Sequence, residues 1–153
     1  MRFEQTTDTR TGRECRVDKT ELSQIRRLLG KTQKQMAQLL GTSLKAVQSF
    51  EQGWRDIPAY VERQALFLMA LKSSQNKRTG PCWVVKRCSE KIRQQCSAWE
   101  LQAGHLCWFI NGTICEGTVR KSWQEKMKIC RQCTVFASLF PPTPGREGGE
   151  GKE

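Results

Sequence analysis

Seven of the eight cysteines in this 153-residue chain lie between positions 82 and 133, and two of them open similar phrases. "CWVVKRC" runs from Cys82 to Cys88, and "CWFINGTIC" runs from Cys107 to Cys115. In each copy a Cys-Trp pair and two apolar residues lead to a second cysteine, and an "EK" segment precedes a third, Cys96 or Cys130. Cysteine and tryptophan are both rare residues, so the recurrence reads as a duplication. The second copy ends in a CxxC, Cys130-Arg131-Gln132-Cys133, that the first lacks.

This pattern constrains the fold because residues 81–136 have little else to fold around. Val84, Val85, Leu106, Phe109, Ile110, Ile114, Val119, Ile129, Val135 and Phe136 form a modest apolar set, with Trp83, Trp99, Trp108 and Trp123 beside them. A segment of about 55 residues buries a marginal core, and such small domains usually need disulfides or metal. A metal site supplies that stability directly, because its ligands converge only in the folded state.

The N-terminal stretch "MRFEQTTDTRTGREC" has no apolar core of the signal-peptide kind, and no apolar run is long enough to cross a bilayer. The expectation is a cytoplasmic protein with no membrane partner. A reducing cytosol disfavours three disulfides plus a free thiol and favours metal binding or redox chemistry. Cys82, Cys88, Cys96, Cys107, Cys115, Cys130 and Cys133 are the candidate metal ligands, while Cys15 stands alone near the N-terminus. Structural zinc would take four thiolates, with Cys130 and Cys133 as one knuckle. An iron–sulfur cluster would also take about four, leaving the others to tune it. A thiol–disulfide switch at Cys130 and Cys133 is a further alternative, and neither spacing nor number separates these chemistries. His105 is the single histidine; as a ligand it would complete a mixed site, but beside Gly104 it is expected in an exposed turn.

The cysteine-free segment 18–72 reads as four amphipathic helices. Asp18 is placed to cap the first, which buries Leu22, Ile25, Leu28 and Leu29 and stops at Gly30. Thr32 caps the second, with Met36, Ala37, Leu39 and Leu40 inward and Gly41 as its end. Ser43 caps the third, with Ala46, Val47 and Phe50 inward and Gly53 as its stop. Pro58 suits the first turn of the fourth, which buries Val61, Ala65, Leu66, Leu68 and Met69. Residues 1–17 form an arm and 73–80 a polar linker. The end of the chain, 137–153, is rich in Pro, Gly and charge and is expected to be disordered.

Lys and Arg outnumber Asp and Glu by 26 to 15, a net charge of +11, which predicts attraction to a polyanion, nucleic acid first. Residues 18–72 carry nine basic and five acidic side chains and residues 81–136 carry nine and four, so charge alone does not say which half touches the partner. No Gly-rich phosphate loop, paired carboxylates or nucleophile–base arrangement stands out, so neither an enzyme nor a small-molecule substrate is expected.

The second and third helices are separated only by "LGTS", the spacing of a helix-turn-helix. Thr32-Gln33, Ala37, Leu40-Gly41, Ser43, Val47 and Phe50-Glu51-Gln52-Gly53 occur in the order of the Cro/repressor (XRE) helix-turn-helix family, which the first half resembles over about fifty residues. The resemblance implies a transcriptional regulator that binds double-stranded DNA. It places Gln33 against a phosphate or a neighbouring side chain, Ser43 at the start of the recognition helix, and Leu44, Lys45, Gln48 and Ser49 on its exposed face. Arg55 would contact the DNA backbone. Lys45 can donate to guanine or to phosphate, Gln48 and Ser49 can reach base edges, and Leu44 can offer an apolar contact. Palindromic operators, usual for this fold, would imply a homodimer. Trp54, after the family's glycine, is expected to pack the fourth helix onto the bundle.

The cysteine pattern, ending at Val135-Phe136, resembles the two-CW domain of bacterial regulatory and signalling proteins, a family that sharpens the boundary more than the chemistry. The expected fold is therefore a small all-α, four-helix helix-turn-helix domain followed by a small, irregular, cysteine-rich domain stabilised by metal. The expected function is DNA-binding regulation with zinc or an iron–sulfur cluster sensing metal or redox state. The alternative is an interaction adaptor whose metal is purely structural.

Overall fold

The computed structural model describes residues 16–73 and 80–140. Cys15, the N-terminal arm up to residue 15, positions 74–79 of the linker and the tail from 141 lie outside the described residues. The described chain is mostly helical. Helices α1 (Lys19–Leu28), α2 (Gln33–Leu40), α3 (Leu44–Gln52) and α4 (Ala59–Ser73) come first. The short helices α5 (Cys82–Val85), α6 (Glu90–Gln95) and α7 (Ser97–Glu100) follow. A two-residue hairpin, β1 (Ile114–Cys115) and β2 (Thr118–Val119), precedes α8 (Trp123–Cys130) and α9 (Thr134–Ala137). The hairpin is antiparallel, with Ile114 opposite Val119 and Cys115 opposite Thr118.

The first three helices begin where local chemistry directs. The Asp18 carboxylate accepts the Glu21 N–H at 2.8 Å, and Ser43 Oγ accepts the Ala46 N–H at 3.0 Å. Thr32 accepts from Gln35 N–H, and the Gln35 side chain returns the bond to Thr32 N–H, a reciprocal cap at the start of α2. Gly41 and Gly53 end α2 and α3 with φ of 66° and 80°, a conformation that glycine adopts without strain. Leu22, Ile25, Met36, Ala37, Leu40, Ala46, Val47 and Phe50 are buried. Leu28 and Leu39, expected inside, are 42% and 37% exposed, because each lies at the edge of its helix's apolar stripe and no described neighbour covers it fully.

Helix α4 joins the two halves. Its sequence "AYVERQALFLMALKS" spreads apolar residues over most sides, and such a helix needs more than one covering neighbour, though Tyr60 and Leu71 stay exposed. Val61, Ala65, Leu66 and Met69 are buried, and α4 packs against α1 and α2. Phe67 meets the Phe109 ring at 5.0 Å. Arg63 lies over the rings of Phe109 and Trp123, at 4.8 and 5.4 Å, and donates to the Phe109 carbonyl at 3.0 Å. Trp108, Trp123, Met127, Phe136 and Leu139 belong to one continuous core with the residues of α1–α4.

Trp108 is the centre of the aromatic part of that core. It is fully buried, meets Phe109, Trp123, Phe136 and Phe140 edge-on at 5.5 to 6.1 Å, and donates its indole N–H to the His105 carbonyl. The rings of Phe136 and Phe140 lie 4.4 Å apart and Leu139 is 3% exposed, so packed structure runs past the expected boundary at 136. Residues 137–140 belong to the folded part because their apolar side chains complete the shell around Trp108.

Two charged groups are fixed where the halves meet. The Arg131 guanidinium makes a two-pronged pair with Glu21 of α1, at 2.6 and 3.2 Å. Glu62 is 1% exposed and accepts the Val17 N–H at 3.2 Å. Burial raises its pKa above the ordinary 4.5, against the opposing pull of Val17 N–H, Trp123 and the positive Arg131 and Arg16.

A carboxyl group raised in the fold weakens it at pH above that raised pKa and has no such effect below about 4.5. Glu62→Gln keeps an acceptor for Val17 and removes the charge. It is expected to raise stability at pH 7, with the gain shrinking as the pH falls toward 4.5 in thermal melts. Because the core is shared, Trp108→Ala is expected to cost about 3–5 kcal/mol in one cooperative urea transition of both halves.

Candidate metal centre and nucleic-acid interface

The described cysteines converge on one place. Cys82, Cys88, Cys96, Cys107, Cys115, Cys130 and Cys133 all line a single cavity of about 50 Å3, and none forms a disulfide. Short elements deliver them: Cys82 opens α5, Cys96 lies between α6 and α7, Cys115 lies in β1, and Cys130 ends α8. Cys133 immediately precedes α9, which packs on α5 and so brings the end of the module back to its beginning.

The two Cys-Trp cysteines meet. Cys82 N–H donates to the Gly104 carbonyl at 3.0 Å, and the Cys82 and Cys107 side chains are hydrogen-bonded. Gly104 permits this approach, since a Cβ there would stand 2.4 Å from Pro81 Cβ and 2.9 Å from the Trp83 ring. Their tryptophans have different places. Trp108 fills the core, whereas Trp83 is half-buried, lines the cavity and meets Trp99 edge-on at 4.9 Å. The copies also differ locally, with Cys82–Val85 helical and Cys107–Ile110 in turns, while both "EK" segments form helices ahead of a third cysteine.

The thiols influence one another around the ring. Cys88 is affected by Cys82 and Cys96, Cys107 by Cys82 and Cys130, and Cys130 by Cys115 and Cys133. Burial pushes the pKa of Cys130 up to about 11 and raises those of Cys88 and Cys115. The bond with Cys82, followed by burial, raises that of Cys107, and the same bond lowers that of Cys82. Most of these groups are therefore thiols at neutral pH, and metal binding must displace their protons.

The cavity carries positive charge that the sequence patterns did not reveal. Lys86, Arg93, Arg120 and Lys126 line it, and among the described residues no carboxylate does. Lys126 is 2% exposed and donates to the buried hydroxyl of Thr113. Among the described residues no Asp or Glu pairs with it, and burial lowers its pKa while the surrounding cysteines pull the other way. Lys126 lies on the buried side of α8 with Trp123 and Met127, but a lysine in sequence reads as solvated, so only the packing identifies it. His105 is not among the lining residues.

On the other half, Lys45 and Gln48 are exposed on α3 and Leu44 is 40% exposed, while Ala46, Val47 and Phe50 anchor the opposite side. Ser43 caps the helix, and Ser49 donates its hydroxyl to the Lys45 carbonyl at 2.9 Å, leaving its oxygen as an acceptor. Gln33 takes the second of its two expected roles: its amide donates to Glu51 at 2.7 Å. Glu51 also receives Arg26 through two bonds, at 2.6 and 3.2 Å, so this carboxylate clamps α1 and α2 to the end of α3. Arg55 is exposed over the Phe50 ring at 5.4 Å. Trp54 does not pack α4 onto the bundle: it is 79% exposed, because the left-handed turn at Gly53 directs the chain outward there.

Comparison with known proteins gave no match: no family model, no curated protein and no solved structure is similar to the chain.

In the metal-free protein at pH 8, iodoacetamide is expected to alkylate Cys82 before Cys107 and Cys130. The lowered Cys82 pKa gives more thiolate, and the raised values give less. Peptide mapping by mass spectrometry over time reads the order, which should vanish in urea.

Proposed function

We propose that this protein is a DNA-binding transcriptional regulator whose cysteine-rich half holds a thiolate-bound metal cofactor and passes its state to the DNA-binding half. The observation that carries the reading is the build of α3. One face is locked into the core by Ala46, Val47 and Phe50, and the other offers Leu44, Lys45 and Gln48. Thr32-capped α2, the Gly41 turn and Ser43-capped α3 form a helix-turn-helix in this reading, with α3 entering the major groove. The net charge of +11 supports a polyanionic partner.

Two connections support cofactor sensing. Arg131 lies inside the CxxC and pairs with Glu21 of α1, and α4 contacts both halves through Arg63 and Phe67. A cofactor that reorganises Cys130 and Cys133 would act on α1 through that pair and so change DNA affinity by linkage. Residues of the cysteine half would bind the metal, and its chemistry would be charge and redox sensing at the thiolates.

The adaptor reading draws support from Trp54 and Tyr60, both largely exposed close together in sequence near the end of α3. In that reading these rings meet a protein, and the metal is structural.

Selection of bound sequences from random duplexes, followed by fluorescence anisotropy across a salt series, distinguishes the two. The regulator is expected to bind with an affinity that falls steeply with salt. Lys45→Ala should weaken binding and reduce the salt slope by about 1, and Gln48→Ala should cost about 1–3 kcal/mol at one base pair. No selectable sequence and no salt-dependent binding would favour the adaptor.

A further inference from the structure

The cysteine-lined cavity narrows the class of cofactor. Among the described residues no three Cys, His, Asp or Glu side chains converge on one point as ligands of a single ion. A zinc tetrahedron with bonds of about 2.3 Å holds its sulfurs about 3.8 Å apart and encloses nothing else. Here seven thiols instead surround a cavity of about 50 Å3. About 10–15 Å3 on this measure admits one water, so the ring encloses room for a group of several atoms.

A zinc or copper(I) cluster of several ions would need the cysteine sulfurs themselves to bridge the metals, and bridging requires the close convergence that is missing. An iron–sulfur cluster brings its own bridging sulfides and needs only about four cysteines, one to each outer corner. Its ligands can therefore sit spread around a volume.

The charges point the same way. A cluster held by thiolates is anionic, and four cations line this cavity with no carboxylate in the wall among the described residues, although Lys86 also faces Glu116 at 3.6 Å. Lys126 is buried without an acidic partner among the described residues. Arg120 lines the same wall, and its buried Nε–H has no acceptor among the described residues. Inorganic sulfides and thiolates are acceptors for such donors. Trp83, Trp99, Ile92, Ile114 and Ile129 supply apolar walls that limit water.

We propose that this cavity holds an iron–sulfur cluster bound by four of the ring cysteines, with Lys126 and Arg120 as its buried positive partners. The proposal rests on the reading that the cysteine half carries a metal cofactor, and it is independent of whether the other half binds DNA. Each ligating thiol loses its proton on binding iron. One-electron reduction adds a negative charge to the cluster, which Lys126 stabilises, so removing that charge lowers the reduction potential.

The test uses the full chain, freed of metal and incubated anaerobically with ferric iron, sulfide and excess thiol, which reduces part of the iron, with parallel incubations in zinc alone and copper(I) alone. The expected result is uptake of iron and acid-labile sulfide in equal amounts, a broad visible absorption, and an electron-spin resonance signal after dithionite donates one electron per cluster. Lys126→Met is expected to assemble the cluster at a lower potential than the parent, and Lys126→Arg to recover most of the difference. Should Lys126→Met not fold, Lys126→Arg and Arg120→Gln carry the measurement, with the potential near the parent's in the first and lowered in the second. Zinc or copper retained in place of iron and sulfide would overturn the proposal, as would variants that all share the parent's potential. Cluster assembly without DNA binding would leave this inference standing and remove the regulator. DNA binding by a chain that takes up no iron and sulfide would do the reverse.

Discussion

Helix α4 carries apolar residues on most of its sides, and each half of the chain covers a different part of them, leaving Tyr60 and Leu71 exposed. The helices α1 and α2 take one part, and Phe109 with the Trp108 cluster takes another. Neither half is closed without it. A segment the size of the cysteine-rich half buries too little to stand on its own apolar contacts, and here its core is continued into that of the helical half. The shared helix also makes the halves mechanically dependent, since a shift of Phe109 or Trp123 meets Arg63 and Phe67 directly.

Charge is placed at the joints. Glu51 gathers Arg26 and Gln33 and so fixes α3 relative to α1 and α2. Arg131 reaches from the CxxC to Glu21, and Lys126 stands in the cysteine-lined cavity. Single surface ion pairs contribute little, but these groups are largely withdrawn from water, with side-chain exposures of 15% and 8% for Arg26 and Glu51 and 9% and 14% for Arg131 and Glu21. Truncating one partner there leaves the other buried without a counter-charge, which is the costly outcome. Such pairs hold orientation, and orientation is what a connection between two sites requires.

The duplication that stands out in the sequence is only partly kept in three dimensions. Its symmetric element is the meeting of Cys82 with Cys107 and the use of an "EK" helix before each third cysteine. The tryptophans diverge: Trp108 is enclosed by four rings, while Trp83 forms a cavity wall with Trp99. The difference comes from position. Both copies line the cavity, but the second also packs against α4 and against Phe136 and Phe140, and that is where Trp108 goes.

The sequence by itself determined the starts and stops of the first helices, the inward faces of α2 and α3, and the segregation of thiols into one half. These depend on chemistry within about four residues: a cap oxygen reaching an N–H three positions on, a glycine at positive φ, a 3.6-residue period. Leu28, Leu39 and Trp54 escaped that reasoning because their exposure is set by whether a distant element covers them, and no described element does so fully. Only the tertiary structure drew seven cysteines around one cavity, buried Lys126 and Glu62, tied Gln33 to Glu51, and extended the core through Phe140. Burial of a charge or closure of a ring of thiols is a property of surfaces that meet from far apart in the chain, and no local pattern of residues encodes which surfaces those are.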